Sequence, residues 1–313
     1  MIEITQYSHN ESKRWNEFIA CTRNATFLFN RGFMDYHSDR FADCSLMAWH
    51  KGKLMAVMPA NAQGRVLYSH QGLTYGGWLV PLKHFDAVIM LHIMTAGCHW
   101  AREHGFETLV YKPVPHIYHS YPAEEDLYAL FRHQARLIES NLSTTIALNA
   151  PLPFDRGNKS ALNLVAKAGV EVKESDDWEQ YWYLLDNVLQ EHHSTHPVHS
   201  LEELKLLHSR FPQNIKLYTA MRDGDMVAGV VVFYTGQVAH CQYIASNHKG
   251  REMKALPMLF DHLIKEAQHR GLAYFDFGIS NEAHGTILNE GLVQQKSRLG
   301  GRGIVYNTYQ IDL

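Results

Sequence analysis

The chain has no run of eighteen apolar residues, no Cys-x-x-Cys pair and no surplus of positive charge. The first absence excludes a transmembrane helix, which needs about 20 consecutive apolar residues. Cys21, Cys44, Cys98 and Cys241 stand singly. That excludes a zinc ribbon and a disulfide framework, and it fits a reducing, cytoplasmic setting. A formal net charge of −3 over 313 residues argues against a protein devoted to long nucleic acid. The polar start MIEITQYSHNESKRW lacks the apolar segment of a secretory signal. Catalytic signatures are missing too. There is no Gly-x-Ser-x-Gly elbow, no Walker A loop, no His-Glu-x-x-His and no strand-linked Gly-x-Gly-x-x-Gly. A serine or cysteine nucleophile is therefore unsupported.

What the chain does contain is a duplication. LMAWHKGKLMAVMPANAQGRVLYSH in the first half matches LYTAMRDGDMVAGVVVFYTGQVAHCQ in the second. One offset places Gly52 on Gly224, Ala56 on Ala228, Gly64 on Gly236 and Val66 on Val238. Further on, AREHGFETLVY matches AQHRGLAYFDF at a shorter offset, with Ala101 and Gly105 on Ala267 and Gly271. The first copy thus carries about six extra residues between strand and helix, within GLTYGGWLVP. Solenoid repeats recur every ~20–50 residues, so a unit this long is a whole domain. The Pro-rich stretch Asn149-Ala-Pro-Leu-Pro-Phe marks the expected boundary, giving domains 1–150 and 151–313.

Both halves read in the same element order. In the second half, 170–175 reads as a strand and 178–190 as a helix. Ser200-Leu-Glu-Glu opens a capped helix ending near Pro212. Strands follow at 215–222, 226–234 and 237–246, the first two joined by the turn Asp223-Gly224-Asp225. A helix over 253–270 stops at Gly271, a buried strand covers 274–278, a short helix lies within 285–299, and 304–311 is the last strand. In the first half, a helix is expected over Phe29–Arg40 and a long one over His84–His104.

This order resembles the GNAT acyltransferase fold. Two copies in one chain resemble the Fem family of peptidoglycan aminoacyl transferases and related Fem/BioF2-type GNAT proteins. The likeness spans nearly the whole chain. It is most specific in YFDFGISNEAHGTILNEGLVQQKSRLGGR (274–302), where a strand ending Asp-Phe-Gly, a loop, Gly-Leu, a lysine and Leu-Gly-Gly follow in family order. The resemblance implies an α/β fold with a mixed sheet, α+β in character, built as two tandem GNAT-like acyl-CoA N-acyltransferase domains. It implies transfer of an acyl or aminoacyl group to an amine or hydroxyl of a small acceptor, extending to a cell-envelope sugar precursor. The donor would be a CoA thioester or an aminoacyl ester: acyl-CoA or aminoacyl-tRNA serves as co-substrate, and no cofactor stays bound. The C-terminal copy would hold donor and chemistry, the N-terminal copy the acceptor side. The Gln/Arg-x-x-Gly-x-Gly/Ala pyrophosphate signature of GNAT proteins is degraded in both halves. That feature favours the rival reading, a non-catalytic nucleotide- or glycan-binding module on the same scaffold.

Five places carry candidate chemistry. By resemblance, His248, Lys249, Gly250 and Arg251 form the loop and helix start that bind the donor pyrophosphate. The bland alternative is a polar strand-to-helix loop. Lys296 falls on the lysine that steadies the tetrahedral intermediate, with Arg298 and Arg302 near it in sequence. Its alternative is a solvated helix face before a glycine cap. Asp276, inside the aromatic strand Tyr-Phe-Asp-Phe-Gly, needs partners or a raised pKa. A structural carboxylate bonded to backbone N–H groups is placed ahead of a catalytic base there, with Ser280 and Asn281 beside it as substrate contacts. In Glu191–His199, His192 and His196 have metal-binding spacing, but Pro197 breaks the helix, so no metal is expected and His196 is assigned to an acceptor loop. Tyr75 and Trp78, in the glycine-rich segment 68–78, read equally as a sugar- or peptide-binding face and as a bent loop over the core.

Overall fold

The computed structural model describes residues 1–193 and 197–313. The chain divides into two compact units. Unit 1 comprises Met1–Leu142, Asn281–Ile287 and Val305–Leu313; unit 2 comprises Ser143–Ser280 and Leu288–Ile304. The division therefore falls inside a strand and not at the proline cluster near 150, and two late segments return to unit 1. The proline stretch is not a linker: Leu152 packs its carbonyl against Gly300 within unit 2.

Unit 1 carries β1 (Glu3–Gln6), α1 (Ser12–Ile19), α2 (Arg31–Met34), β2 (Ala42–Asp43), β3 (Leu46–His50), β4 (Lys53–Met58), β5 (Asn61–Gln63), β6 (Val66–Tyr68), α3 (Ala87–Glu103), β7 (Thr108–Tyr111) and α4 (Glu125–Arg132). Strand β8 (Arg136–Ala147) starts in unit 1 and ends in unit 2. Unit 2 continues with α5 (Arg156–Lys167), β9 (Glu171–Ser175), α6 (Trp178–His193), α7 (Leu201–Arg210), β10 (Ile215–Arg222), β11 (Asp225–Tyr234), β12 (Val238–Ser246), α8 (His248–Met253), α9 (Ala255–His269) and β13 (Tyr274–Ile279). The chain closes with β14 (Asn281–Glu282), β15 (Ile287–Leu288), α10 (Glu290–Arg298) and β16 (Arg302–Asp312). In unit 2, β9 to β13 pair in sequence order; all pairs are antiparallel except β12 with β13. In unit 1, β6 and β7 form the corresponding parallel pair.

The two units repeat each other down to register. Ala48 pairs with Ala56 and Ala220 with Ala228, and each hairpin then slips at the next residue through a β-bulge. Both hairpins turn through two left-handed residues, Lys51-Gly52 and Asp223-Gly224. That is the twist a two-residue hairpin requires. The parallel pairs match as well: Val66, Leu67 and Tyr68 face Thr108, Leu109 and Val110, and Val238, Ala239 and His240 face Tyr274, Phe275 and Asp276. Gly64 and Gly236 differ, since only Gly64 is left-handed.

Two expected helices are shorter. The Phe29–Arg40 helix reduces to α2 flanked by 3-10 turns. There the buried Arg31 guanidinium gathers Asp35 and Asp43, pulling the following chain into a turn. The 253–270 helix begins at Ala255, because Lys254 is left-handed (φ 56°, ψ 45°) and separates α8 from α9. The apolar face of α9 (Leu259, Phe260, Leu263, Ala267) packs with Val230, Val232, Phe275 and Phe277 to form the core of unit 2.

Candidate active site

β12 and β13 stay paired for three residues only, and the last pair is His240 opposite Asp276. Past it β12 runs on to Ser246 and β13 to Ile279 without pairing to each other. Two irregularities open this splay. On β12, Val231 pairs with Tyr243 but Val232 with Cys241, so Gln242 is an inserted bulge residue. On β13, Asp276 pairs with Thr145 but Ile279 with Ser143, and Gly278 between them is left-handed at φ +79°. Bulges re-aim the groups beside them. Here the second one turns the Gly278 and Ile279 carbonyls toward a side chain of α10.

That side chain is Lys296. It is 5% exposed, and its Nζ donates to Gly278 O (2.8 Å), Ile279 O (2.8 Å) and Ser280 Oγ (2.9 Å). The alternative reading, a solvated helix face, does not hold for this lysine, which is buried with all three N–H groups engaged. Burial pulls its pKa down to about 8, while the charges of Asp276 and Cys241 pull the other way. Ser280 is 2% exposed. Its oxygen accepts from Lys296, so the hydroxyl proton is left to donate elsewhere.

Asp276 is fully buried. Side-chain groups meet both of its oxygens. Oδ1 accepts from Ser143 Oγ (2.6 Å) and Thr145 Oγ1 (2.7 Å), and Oδ2 meets His240 Nδ1 at 2.7 Å. Burial pushes its pKa up, but the His240 bond and charge and the two hydroxyls outweigh it, and the carboxyl is held below its ordinary value. A carboxylate this well solvated by the protein is a poor base and a good orienter. With Nδ1 of His240 donating to it, the neutral imidazole keeps its Nε2 lone pair free for a proton. Sequence reasoning passed over His240. The parallel register of β12 and β13, which the sequence does not display, is what brings it beside Asp276. Cys241 is no rival nucleophile, because burial first and then the Asp276 charge raise its thiol pKa well above the ordinary value.

The other predicted residues are placed as follows. His248, Lys249 and Arg251 are exposed on α8. Lys249 reaches Asp225 at 3.3 Å, His248 lies 3.5 Å from Glu252, and Arg251 donates to Ser246 O at 2.8 Å. Gly250 serves packing: a Cβ there would lie 2.2 Å from Val227 O. Asn247 caps α8 by accepting from Gly250 N at 2.8 Å, whereas α9 starts behind Lys254 with no side-chain cap. Arg298 is exposed. The Asn281 amide is committed to Leu142 N and Gly285 O. His196 lies outside the described residues. Tyr75 and Trp78 require correction: they are 3% and 1% exposed, Tyr75 against Phe29 and Tyr118, Trp78 in the unit 1 core. Side chains without a free face do not meet a substrate. The glycines around them allow close packing, since a Cβ on Gly76 would lie 1.6 Å from Ser69 O.

An acetyltransferase (GNAT) domain model matches residues 156–284. Curated protein sequences give no match. Among solved structures, the crystal structure of FemX is similar at a TM-score of 0.72 and 11% identity, over 99% of this chain and 97% of that one. The C-terminal domain of a putative lysylphosphatidylglycerol synthetase from Agrobacterium fabrum is similar at 0.63 and 12%, over 97% and 92%. A tandem GNAT protein from the clavulanic acid biosynthesis pathway is similar at 0.53 and 13%, over 99% and 98%. The chain therefore has the Fem-like tandem GNAT fold, and its residues 156–284 match the GNAT domain model.

Proposed function

We propose that this protein is an acyltransferase. It moves an acyl or aminoacyl group from a CoA thioester, or from an aminoacyl ester, directly to an amine or hydroxyl. Unit 2 holds the donor and the chemistry, and unit 1 is assigned to acceptor recognition. The observation that carries this reading is the splay of β12 from β13, with the His240–Asp276 pair at its vertex and the Lys296 ammonium at the end of β13.

In the step, the acceptor N or O attacks the acyl carbonyl, and its proton passes to His240 Nε2. The carbonyl π electrons move to oxygen. That oxyanion takes the Ser280 O–H, behind which Lys296 supplies positive charge. Collapse breaks the C–S bond (C–O in an ester donor), and the leaving group takes the proton from His240. Asp276 stays ionised throughout and holds the imidazole in the useful tautomer. The donor pyrophosphate is assigned to the uncapped start of α9, where the N–H groups of 255 and 256 and the helix dipole favour an anion. Lys249, Arg251 and Lys254 are nearby cations in sequence.

The test begins with thermal shifts against acetyl-CoA, longer acyl-CoAs and aminoacyl-tRNA. A donor at 100 times its dissociation constant should stabilise by about 2.7 kcal/mol. With a donor in hand, His240→Gln should lower kcat by roughly 10²–10⁴-fold while leaving donor affinity unchanged. Unchanged turnover in His240→Gln, or no donor of either class that stabilises the protein, would overturn the reading.

A further inference from the structure

Strand β8 brings two hydroxyls to one oxygen. Ser143 and Thr145 stand two apart on β8, so their side chains leave the same face of the strand. Thr144 leaves the other face, where a Cβ on Gly301 would lie 2.4 Å from its methyl. β8 runs antiparallel to β13, with Thr145 opposite Asp276 and Ser143 opposite Ile279. Across the bulge between those pairs, Ser143 Oγ lies 2.6 Å and Thr145 Oγ1 2.7 Å from Asp276 Oδ1. All three side chains are buried. An ionised carboxylate only accepts hydrogen bonds, so both hydroxyls donate. Serine and threonine hydroxyls commonly turn to a neighbouring backbone carbonyl instead. Here both are committed to the same oxygen. The other oxygen, Oδ2, meets His240 Nδ1 at 2.7 Å. Contacts from the strands on either side thus fix the carboxyl plane, and with it the direction in which His240 is held. The other titratable groups that act on Asp276 are Cys241 on β12 and Lys296 on α10.

We propose that Ser143 and Thr145 are positioning residues: by anchoring Oδ1 of Asp276 they aim Oδ2 at His240 Nδ1 and keep Nε2 as the base of the site. This role deepens the acyl-transfer reading and rests on it. Both residues act through Asp276. They also decide where a proton stays. When the acceptor's proton reaches Nε2, the imidazolium carries two, and the one on Nδ1 could cross to the carboxylate. Two donated hydrogen bonds stabilise the carboxylate over the acid, so the Nδ1 proton remains on nitrogen. The Nε2 proton is then the one that goes to the leaving thiolate or alkoxide, and the ring returns to its starting tautomer. Without the hydroxyls the carboxylate is more basic. A more basic Asp276 favours the charged ring, so His240 becomes neutral, and able to take a proton, only at higher pH.

The experiment uses the full chain with Ser143→Ala, Thr145→Val, the two together, and Thr145→Ser. Read by nitrogen NMR of the histidine ring, the His240 titration should move to higher pH in each single variant and further in the pair. Thr145→Ser, which returns the hydroxyl without the methyl, should bring it back towards the wild-type position. A merely structural loss would lower stability without moving that titration. With a donor and acceptor in hand, the acid limb of kcat should move by about half a pH unit per hydroxyl. Below the limb that lowers turnover roughly threefold for each single variant and about tenfold for the pair. Should the pair fail to fold, wild type suffices. The Ser143 and Thr145 hydroxyl protons, buried and donated across 2.6 and 2.7 Å, should give slowly exchanging resonances that shift as His240 titrates. The proposal falls if the His240 titration stays put in both single variants, if Thr145→Ser behaves as Thr145→Val does, or if the hydroxyl resonances ignore the His240 titration. A titration that moves as expected in a protein that no donor stabilises leaves the anchoring of His240 standing and removes only the acyl-transfer reading.

Discussion

At the scale of single residues, Lys296 joins stability and activity through one proton. Its folded pKa, about 8, lies below the ordinary lysine value because burial disfavours the charged form. Between those two values the unfolded chain binds more protons than the folded one, so stability rises with pH across that window. Lys112 contributes in the same direction. Urea midpoints should therefore climb between about pH 8 and 10, and Lys296→Met should flatten part of the climb. The same variant leaves the Gly278 and Ile279 carbonyls without their donor, at a cost of about 1–3 kcal/mol. Turnover has the opposite trend. If the charge supports the oxyanion, kcat falls as pH rises through about 8, and Lys296→Met lowers it roughly 10²–10³-fold at neutral pH. Lys296→Arg stays charged and should carry activity past that alkaline limb. A rate profile flat across pH 8 in wild type would remove Lys296 from the chemistry. Asp276 works at the other end of the scale. Its folded pKa is depressed, so its contribution is present above about pH 3.9 and is lost as the pH falls through the folded value. Asp276→Asn should make acid unfolding less steep and cut turnover by releasing His240.

At the scale of elements, the duplication makes paired predictions. Gly52 and Gly224 are both left-handed, in matched turns, with open space where a Cβ would go. Gly52→Ala and Gly224→Ala should each cost roughly 1–2 kcal/mol from backbone strain alone. Gly250→Ala has no left-handed backbone to disturb, but its methyl meets the Val227 carbonyl, so it should destabilise by displacing α8 from β11. Equilibrium unfolding of the three variants checks this; a harmless Gly250→Ala would mean that the packing is loose. These glycines also show what was legible in the sequence. Gly52 and Gly224 announced the hairpins because few other residues take that turn. The strands followed from apolar alternation, and Lys296 from the motif around Gly300-Gly301. The break at Lys254 was not legible, since nothing local marks a lysine as left-handed. Nor was the His240–Asp276 pair, which depends on parallel register and on a bulge one residue beyond the pair's last member. Tyr75 and Trp78 misled for a different reason. Glycines mixed with aromatics look the same whether they bend around a ligand or around a core.

At the scale of the whole molecule, two copies with the same register differ in the side chains and bonds at equivalent positions. Where unit 2 has His240 opposite Asp276, unit 1 has Tyr68 opposite Val110, which cannot relay a proton. The parallel pair that opens in unit 2 is stitched shut in unit 1 by its own chain. Ser69 N donates to Val110 O (2.9 Å), Lys112 N to Ser69 Oγ (2.8 Å), Gly76 N to Lys112 O (2.7 Å) and Trp78 N to Tyr111 Oη (2.7 Å). The residues that make these bonds lie in or beside the segment the second copy lacks. Opening the gap would expose several buried donors and acceptors at once, each worth about 1–3 kcal/mol when left unmet. A donor entering there would have to offset that cost out of its own binding free energy. A donor that binds by lying between splayed strands therefore has one place in this chain and not two. Calorimetric titration of whichever CoA thioester stabilises the protein should give one site per chain. Shortening the side chain that stitches unit 1, as Ser69→Ala, should lower stability without creating a second site. A stoichiometry near two in wild type would mean that the first copy still opens, and that the division of labour between the copies is wrong.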